Sequence, residues 1–194
     1  MSRQSFSEIY ARAASRHGGA DEVESQLPQP LSAKRLRSLG DDRLLSQMAK
    51  CVFRAGFVWQ VVEAKWPGFE EAFLGFDPQA VASMSDRDLG ALSEDRRIIR
   101  NPIKIRSVRD NATFVVDTAE EHGSFGRFVA DWPASDVVSL WDLLKKEGQR
   151  LGGNTGPMFL REVGKDTFMT RPDVVGCLVD QGIVSKTPTG KRDL

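Results

Sequence analysis

Apolar side chains recur at steps of three and four along most of this chain, the spacing of a helix face and not of a strand. The clearest case follows Asn101-Pro102, a capping residue and then a proline suited to a first helical turn. Ile105, Val108, Ala112, Val115 and Ala119 form one stripe, and Gly123 ends it. The same reading predicts a helix capped by Ser5 or Ser7 and stopped at Gly18-Gly19. It predicts another opened by Asp41-Asp42, with Leu44, Leu45, Met48 and Val52 turned inward. Asp77-Pro78 and Ser85-Asp86 start shorter helices, and more are expected near 136–147, 157–164 and 172–181. Prolines make LPQPLS (27–32) a loop, and Trp66-Pro67-Gly68 is expected to punctuate the helix before it. Few segments alternate apolar and polar residues, and Phe114-Val115-Val116 falls inside the long stripe. The pattern predicts an all-α protein, one domain over residues 1–194 made of two helical lobes.

One stretch departs from this regularity. At 50–59 the chain reads KCVFRAGFVW, with an Ala-Gly pair ahead of a bulky Phe-Val-Trp run. Glycine beside the largest aromatics breaks an amphipathic helix, and two readings follow. Phe57 and Trp59 are core residues, or they form an aromatic element that stacks on or wedges between bases.

Composition narrows the function only slightly. The 194 residues are 40% hydrophobic and 28% charged, and 27 Lys and Arg balance 27 Asp and Glu. Binding to a polyanion must therefore come from local clustering. No apolar run reaches the length of a membrane helix and the N-terminus is polar, so a cytoplasmic protein without membrane association is expected. Two cysteines without a C-x-x-C, and His17 and His122 besides, match no common zinc spacing; no metal and no cofactor are expected. P-loop, dinucleotide, H-E-x-x-H and G-x-S-x-G motifs are all missing from the sequence.

Local clusters supply two candidates. EDRRIIRNPIKIRSVRDNA (94–112) crowds Arg96, Arg97, Arg100, Lys104, Arg106 and Arg109 around a helix start, against Glu94, Asp95 and Asp110. Such a start suits a phosphate backbone, or is a solvated face of internal ion pairs. In LKKEGQRLGGNTGPMFLREVG (144–164) a helix with two lysines ends at Gly148, LGGNTG turns, and Pro157 opens a second helix. This outlines a helix–hairpin–helix over about 136–164, with Gly152, Gly153, Asn154, Thr155 and Gly156 as phosphate-binding candidates. A plain helix–helix turn is the alternative.

Taken together, these stretches resemble the 3-methyladenine DNA glycosylase I family of the helix–hairpin–helix glycosylase superfamily. The matching residues are AGFVWQVVEAKWPGFEEAFLGFDPQAVASMSDRDLGAL (55–92), IIRNPIKIRSVRDNA (98–112), the hairpin, and DVVGC (173–177). The similarity spans about 45–180; the first 40 residues match loosely. The resemblance implies a monomeric DNA repair enzyme that flips a methylated adenine out of alkylated double-stranded DNA and hydrolyses its N-glycosidic bond. By position it makes Gly56 and Phe57 the duplex wedge and places Trp59, Cys51 and Phe53 at the base pocket. Arg100, Lys104 and the hairpin then hold phosphates.

Three departures accompany the match. Cys51 stands where the family usually has a base-contacting glutamate, and a neutral thiol is a weak partner for a cationic base. Asp173 and Cys177 occupy two positions of the family's zinc site, but a histidine and the N-terminal cysteine are missing. Arg171 occupies the neighbourhood of the superfamily's catalytic aspartate, so no catalytic residue is assigned. A DNA-binding protein of alkylated or distorted duplex that has lost excision is the alternative function, and a different modified base is a third.

Overall fold

The computed structural model describes residues 4–188 and is all-helical, with no strand among them. The α-helices are α1 (Phe6–Arg16), α2 (Ala20–Gln26), α3 (Ala33–Arg37), α4 (Asp41–Arg54), α5 (Trp59–Ala72), α6 (Pro78–Ala82), α7 (Asp86–Glu94), α8 (Pro102–His122), α9 (Phe125–Asp131), α10 (Val137–Glu147), α11 (Thr155–Glu162) and α12 (Pro172–Asp180). Two compact units emerge, one holding residues up to Pro30 and from Met169 onward, the other Leu31–Phe168.

In the first unit, Ser5 caps α1 and exchanges a capping box with Glu8, whose carboxyl is held below its ordinary value by the Ser5 backbone N–H. Tyr10 joins α1 to α2 by donating to Glu24 Oε1 at 2.7 Å. No helix among the described residues is long and apolar enough to cross a membrane.

The second unit carries the main core. The expected inward residues of α4, Leu44, Leu45, Met48 and Val52, are all buried. Asn101 caps α8, Asp77 caps α6 and Ser85 caps α7, where the capping signals predicted starts. Helix α5 differs from expectation, because it runs straight through Pro67. An interior proline costs about 3 kcal/mol. Full burial of Phe69 and Phe73 and near-full burial of Trp66 return about 1.5–3 kcal/mol for a large side chain of this kind. These rings form a stacked column, with Trp66 4.9 Å from Phe69 and 5.5 Å from Phe76 between centroids. Gly68 serves a separate purpose: a Cβ there would lie 2.7 Å from the Arg97 carbonyl oxygen, so only glycine lets the 95–99 loop seat on α5.

Helix α8 is the axis of this unit. Ile105, Val108, Ala112 and Val115 are buried as the stripe predicts, while Ala119 is half-buried. Beside them runs a second buried line that is polar: Lys104, Ser107, Asn111 and Thr118. Lys104 donates from Nζ to the Ala55 carbonyl at 2.7 Å and the Phe53 carbonyl at 3.2 Å, closing the C-terminal end of α4. Asn111 donates from Nδ2 to the Gln149 carbonyl at 3.1 Å and accepts the Gln149 N–H at 2.7 Å.

The role of Lys104 is directly testable. Replacing it by methionine keeps the stem and leaves two carbonyls without their donor, at about 1–3 kcal/mol for each unmet buried group. Thermal unfolding of Lys104→Met is expected to drop by about 4–24 °C, given about 2–4 °C per kcal/mol at this size. An unchanged Tm would return Lys104 to the surface role expected from sequence.

Candidate functional site

The break at Ala55-Gly56 is a turn between two helices. Helix α4 stops at Arg54, Gly56 takes a left-handed backbone (φ 71°), and α5 begins at Trp59. A side chain at Gly56 would meet no neighbour, so the requirement there is conformational. Lys104 holds the turn from beneath, and the side chains on it stay outside the core. Phe57 is 47% exposed, Val58 61% and Trp59 45%. Rings this exposed are not core residues, which removes one of the two readings of the stretch.

Beside the turn lies a pocket of about 200 Å³. Cys51, Arg54, Ala55, Gly56 and Trp59 form one wall; Asn154, Thr155 and Met158 form the other. The structure thus brings Trp59 and Cys51 into one pocket with residues of the glycine turn. Phe53 belongs elsewhere: it is fully buried, edge-on to Phe69 at 4.6 Å, because it lies on the core face of α4.

The pocket electrostatics are set by Arg54, which sequence reading passed over. Its guanidinium lies 4.9 Å from the centroid of Trp59, bonds Glu63, and sits 3.5 Å from a Glu162 oxygen. That bond and Lys50 hold the Glu63 carboxyl below its usual value. No carboxylate lines the pocket itself. Burial pushes the Cys51 thiol up to about 12, so it is protonated throughout the physiological range; Gln47 Nε2 approaches its sulfur at 3.7 Å.

The turn opposite is built from 148–156. Arg150 adopts a left-handed backbone (φ 64°), unusual for a side chain of that size, while Gly153 does so freely (φ 60°). Arg150 lies close enough to Lys104 that its charge, after burial, contributes to holding that ammonium below the ordinary lysine value. Helix α11 starts at Thr155, two residues before expectation, since Pro157 lies in a first turn whose N–H groups have no helical partner. Gly156 is not open to a ligand: its N–H returns to Leu151 at 3.0 Å, and a Cβ there would stand 2.7 Å from the same carbonyl oxygen. The N–H groups of Gly152, Gly153 and Asn154 make no such bond.

The basic cluster divides sharply. Arg97 is tied to Asp95 and Glu71, Arg109 to Asp86, and Arg106 lies 3.7 Å from Asp86. Lys104 is buried under the turn, which corrects its expected place on a phosphate. Arg96 and Arg100 make no ion pair among the described residues and are exposed. Asp173 and Cys177 lie one turn apart on exposed positions of α12. No three His, Cys, Asp or Glu side chains among the described residues converge, so the donors present do not fit the zinc site of the resemblance.

Helices α10 and α11 joined by a glycine-bearing turn form a helix–hairpin–helix element. The family profile for methyladenine glycosylases matches residues 36–147, which include the aromatic turn and the basic loop. DNA-3-methyladenine glycosylase 1 of Escherichia coli (strain K12) is 29% identical over 143 residues, 64% of this chain and 74% of that protein. The solved 3-methyladenine DNA glycosylase I from Staphylococcus aureus is 27% identical, with a TM-score of 0.59 over 71% of this chain and 79% of that one. A tyrosine-to-phenylalanine variant of 3-methyladenine DNA glycosylase I in complex with 3-methyladenine, 24% identical, shares the fold with a TM-score of 0.60 over 84% and 89% of the two chains. The chain belongs to the methyladenine glycosylase family, and so to the DNA N-glycosylases.

The two cysteines allow a check on the pocket. Alkylation needs a thiolate, and Cys177 is exposed whereas Cys51 is buried with a raised pKa. Iodoacetamide at pH 8 is expected to label Cys177 alone in the folded protein and both thiols after denaturation, as read by intact mass. Rapid double labelling of the native protein would mean that Cys51 is neither buried nor held protonated.

Proposed function

We propose that this enzyme removes alkylated purines from double-stranded DNA, 3-methyladenine foremost, after rotating the nucleotide out of the helix. The observation that carries this reading is the exposed turn at 56–59. Phe57 stands exposed, available to fill the vacated stack, and Trp59 borders a pocket whose other wall is the hairpin. Aromatic faces receive extruded bases, and bulky apolar residues fill the gap that extrusion leaves. The unspent N–H groups at 152–154 suit a phosphate of the damaged strand. The proposed enzyme acts as a monomer in the cytoplasm.

Chemistry at this site places little demand on acid catalysis. Methylation at N3 makes the purine cationic, so the bond from C1′ to N9 breaks with the electron pair going to the base. Water then bonds to C1′ and gives up a proton. The residues here bind, orient and exclude bulk solvent. No side chain is assigned to polarise the water, and cleavage ends at the abasic site because no free lysine amine lines the pocket.

The lack of a carboxylate in the pocket wall favours a second reading. A cationic base meets a neutral thiol and an arginine where an anion would hold it, a setting suited to binding altered duplex without excision. The same wall suits a neutral modified base.

Base release separates these readings. Free 3-methyladenine is expected from methylated duplex at enzyme excess; folded protein that binds such duplex and releases nothing selects the binding protein. Stacking on an aromatic is worth about 1–3 kcal/mol per base, so Trp59→Ala should slow single-turnover release by about 5- to 160-fold. Its affinity for undamaged duplex should change much less, and the reverse ordering would remove Trp59 from the base pocket.

A further inference from the structure

A second concavity adjoins the same turn and shares no lining residue with the pocket beside Trp59. It measures about 480 Å³ and is lined by Phe57 and Val61 on the apolar side, Lys65, Arg96 and Arg100 on the charged side, with Ile99 between. No carboxylate lines it. Arg96 and Arg100 are the arginines of the basic cluster left without an acidic partner among the described residues, whereas Arg97, Arg106 and Arg109 are spent on Asp95, Glu71 and Asp86. The acid whose charge reaches Lys65 is Asp95, and its carboxylate is already committed to Arg97.

The groove is built and not incidental. Gly68 lets the 95–99 loop seat on α5, Ile98 anchors that loop in the core, and Lys65 Nζ donates to the Arg96 carbonyl at 2.6 Å. These contacts fix the Arg96 backbone beside the exposed Phe57 and leave its guanidinium, with that of Arg100, to a ligand. An apolar wedge flanked by unneutralised guanidinium groups on a carboxylate-free surface matches a chain of phosphodiesters.

We infer that this groove holds the sugar–phosphate backbone of the strand opposite the damaged base, with Arg96 and Arg100 on its phosphates. The inference rests on the glycosylase reading above. Trp59 and the hairpin face one side of the turn and take the damaged strand; Phe57 faces the other side, where a wedge in the vacated stack meets the intact strand. The enzyme thereby grips both strands across a single turn of chain, and duplex is preferred over single-stranded substrate.

Fluorescence anisotropy on a labelled oligonucleotide bearing one tetrahydrofuran abasic site, as duplex and as single strand, tests this across a salt series. Each phosphate contact contributes about 0.9 to the slope of log K against log salt on duplex. Arg96→Ala/Arg100→Ala is expected to reduce the duplex slope by about 2 and leave single-strand binding unchanged. Methylphosphonate linkages in the intact strand opposite the site should weaken the wild type and not further weaken the double variant. An equal loss on single and double strands, or an unchanged duplex slope, overturns the groove assignment while the wild type still binds duplex. Failure of the wild type to bind duplex at all would instead remove the glycosylase reading and the groove with it.

Discussion

Both halves of the site hang on two buried polar side chains of α8. Lys104 holds the carbonyls that end α4, and Asn111 holds the backbone of Gln149 at the entrance to the glycine turn. They are seven residues apart, two helical turns, and so lie on one face of α8. Buried donors of this kind cost free energy when unmet and are demanding about direction. An apolar stripe alone would let the two turns slide against α8; these bonds register both on one rigid helix. The aromatic turn and the glycine turn therefore meet across a pocket, though nearly a hundred residues separate them in sequence.

The exposed aromatics follow from the same arrangement. With Lys104 beneath the turn, Phe53 points into the ring column under α5, and the next aromatics, Phe57 and Trp59, emerge on the outside. Exposing that much apolar surface opposes folding, and the column formed by Phe53, Trp66, Phe69, Phe73 and Phe76 more than offsets it. The column also tolerates left-handed backbone at Leu74 and Phe76 (φ 54° and 60°), which are unfavourable for such side chains in isolation. A stable core thus supports an exposed aromatic turn.

The electrostatics show a division of labour that composition conceals. A chain with equal numbers of acidic and basic residues presents unneutralised arginines only where loop geometry keeps carboxylates away. Arg97, Arg106 and Arg109 find acids on α5 and α7, whereas Arg96 and Arg100, interleaved with them in sequence, do not. In the pocket the converse holds: Arg54 gathers Glu63 and Glu162 around itself, so the wall nearest Cys51 carries no free negative charge.

Local signals in the sequence determined the helical class, the caps at Asp77, Ser85 and Asn101, a first cap at Ser5 or Ser7, the apolar stripe of α8 and the glycine turn, because each depends on residues within a few positions of one another. The order of motifs also pointed to the glycosylase family. What the tertiary structure alone decided is which side chains are available. Lys104 reads as a surface cation and is buried; Phe53 reads as a pocket residue and is core; Gly156 reads as a phosphate contact and is packed against a carbonyl. Arg54 and Asn111 carried no signal, since a polar side chain facing its partner across the fold has the same spacing as one facing water. Burial and partnership are long-range quantities, and the chain settles them only when α8 brings distant turns together.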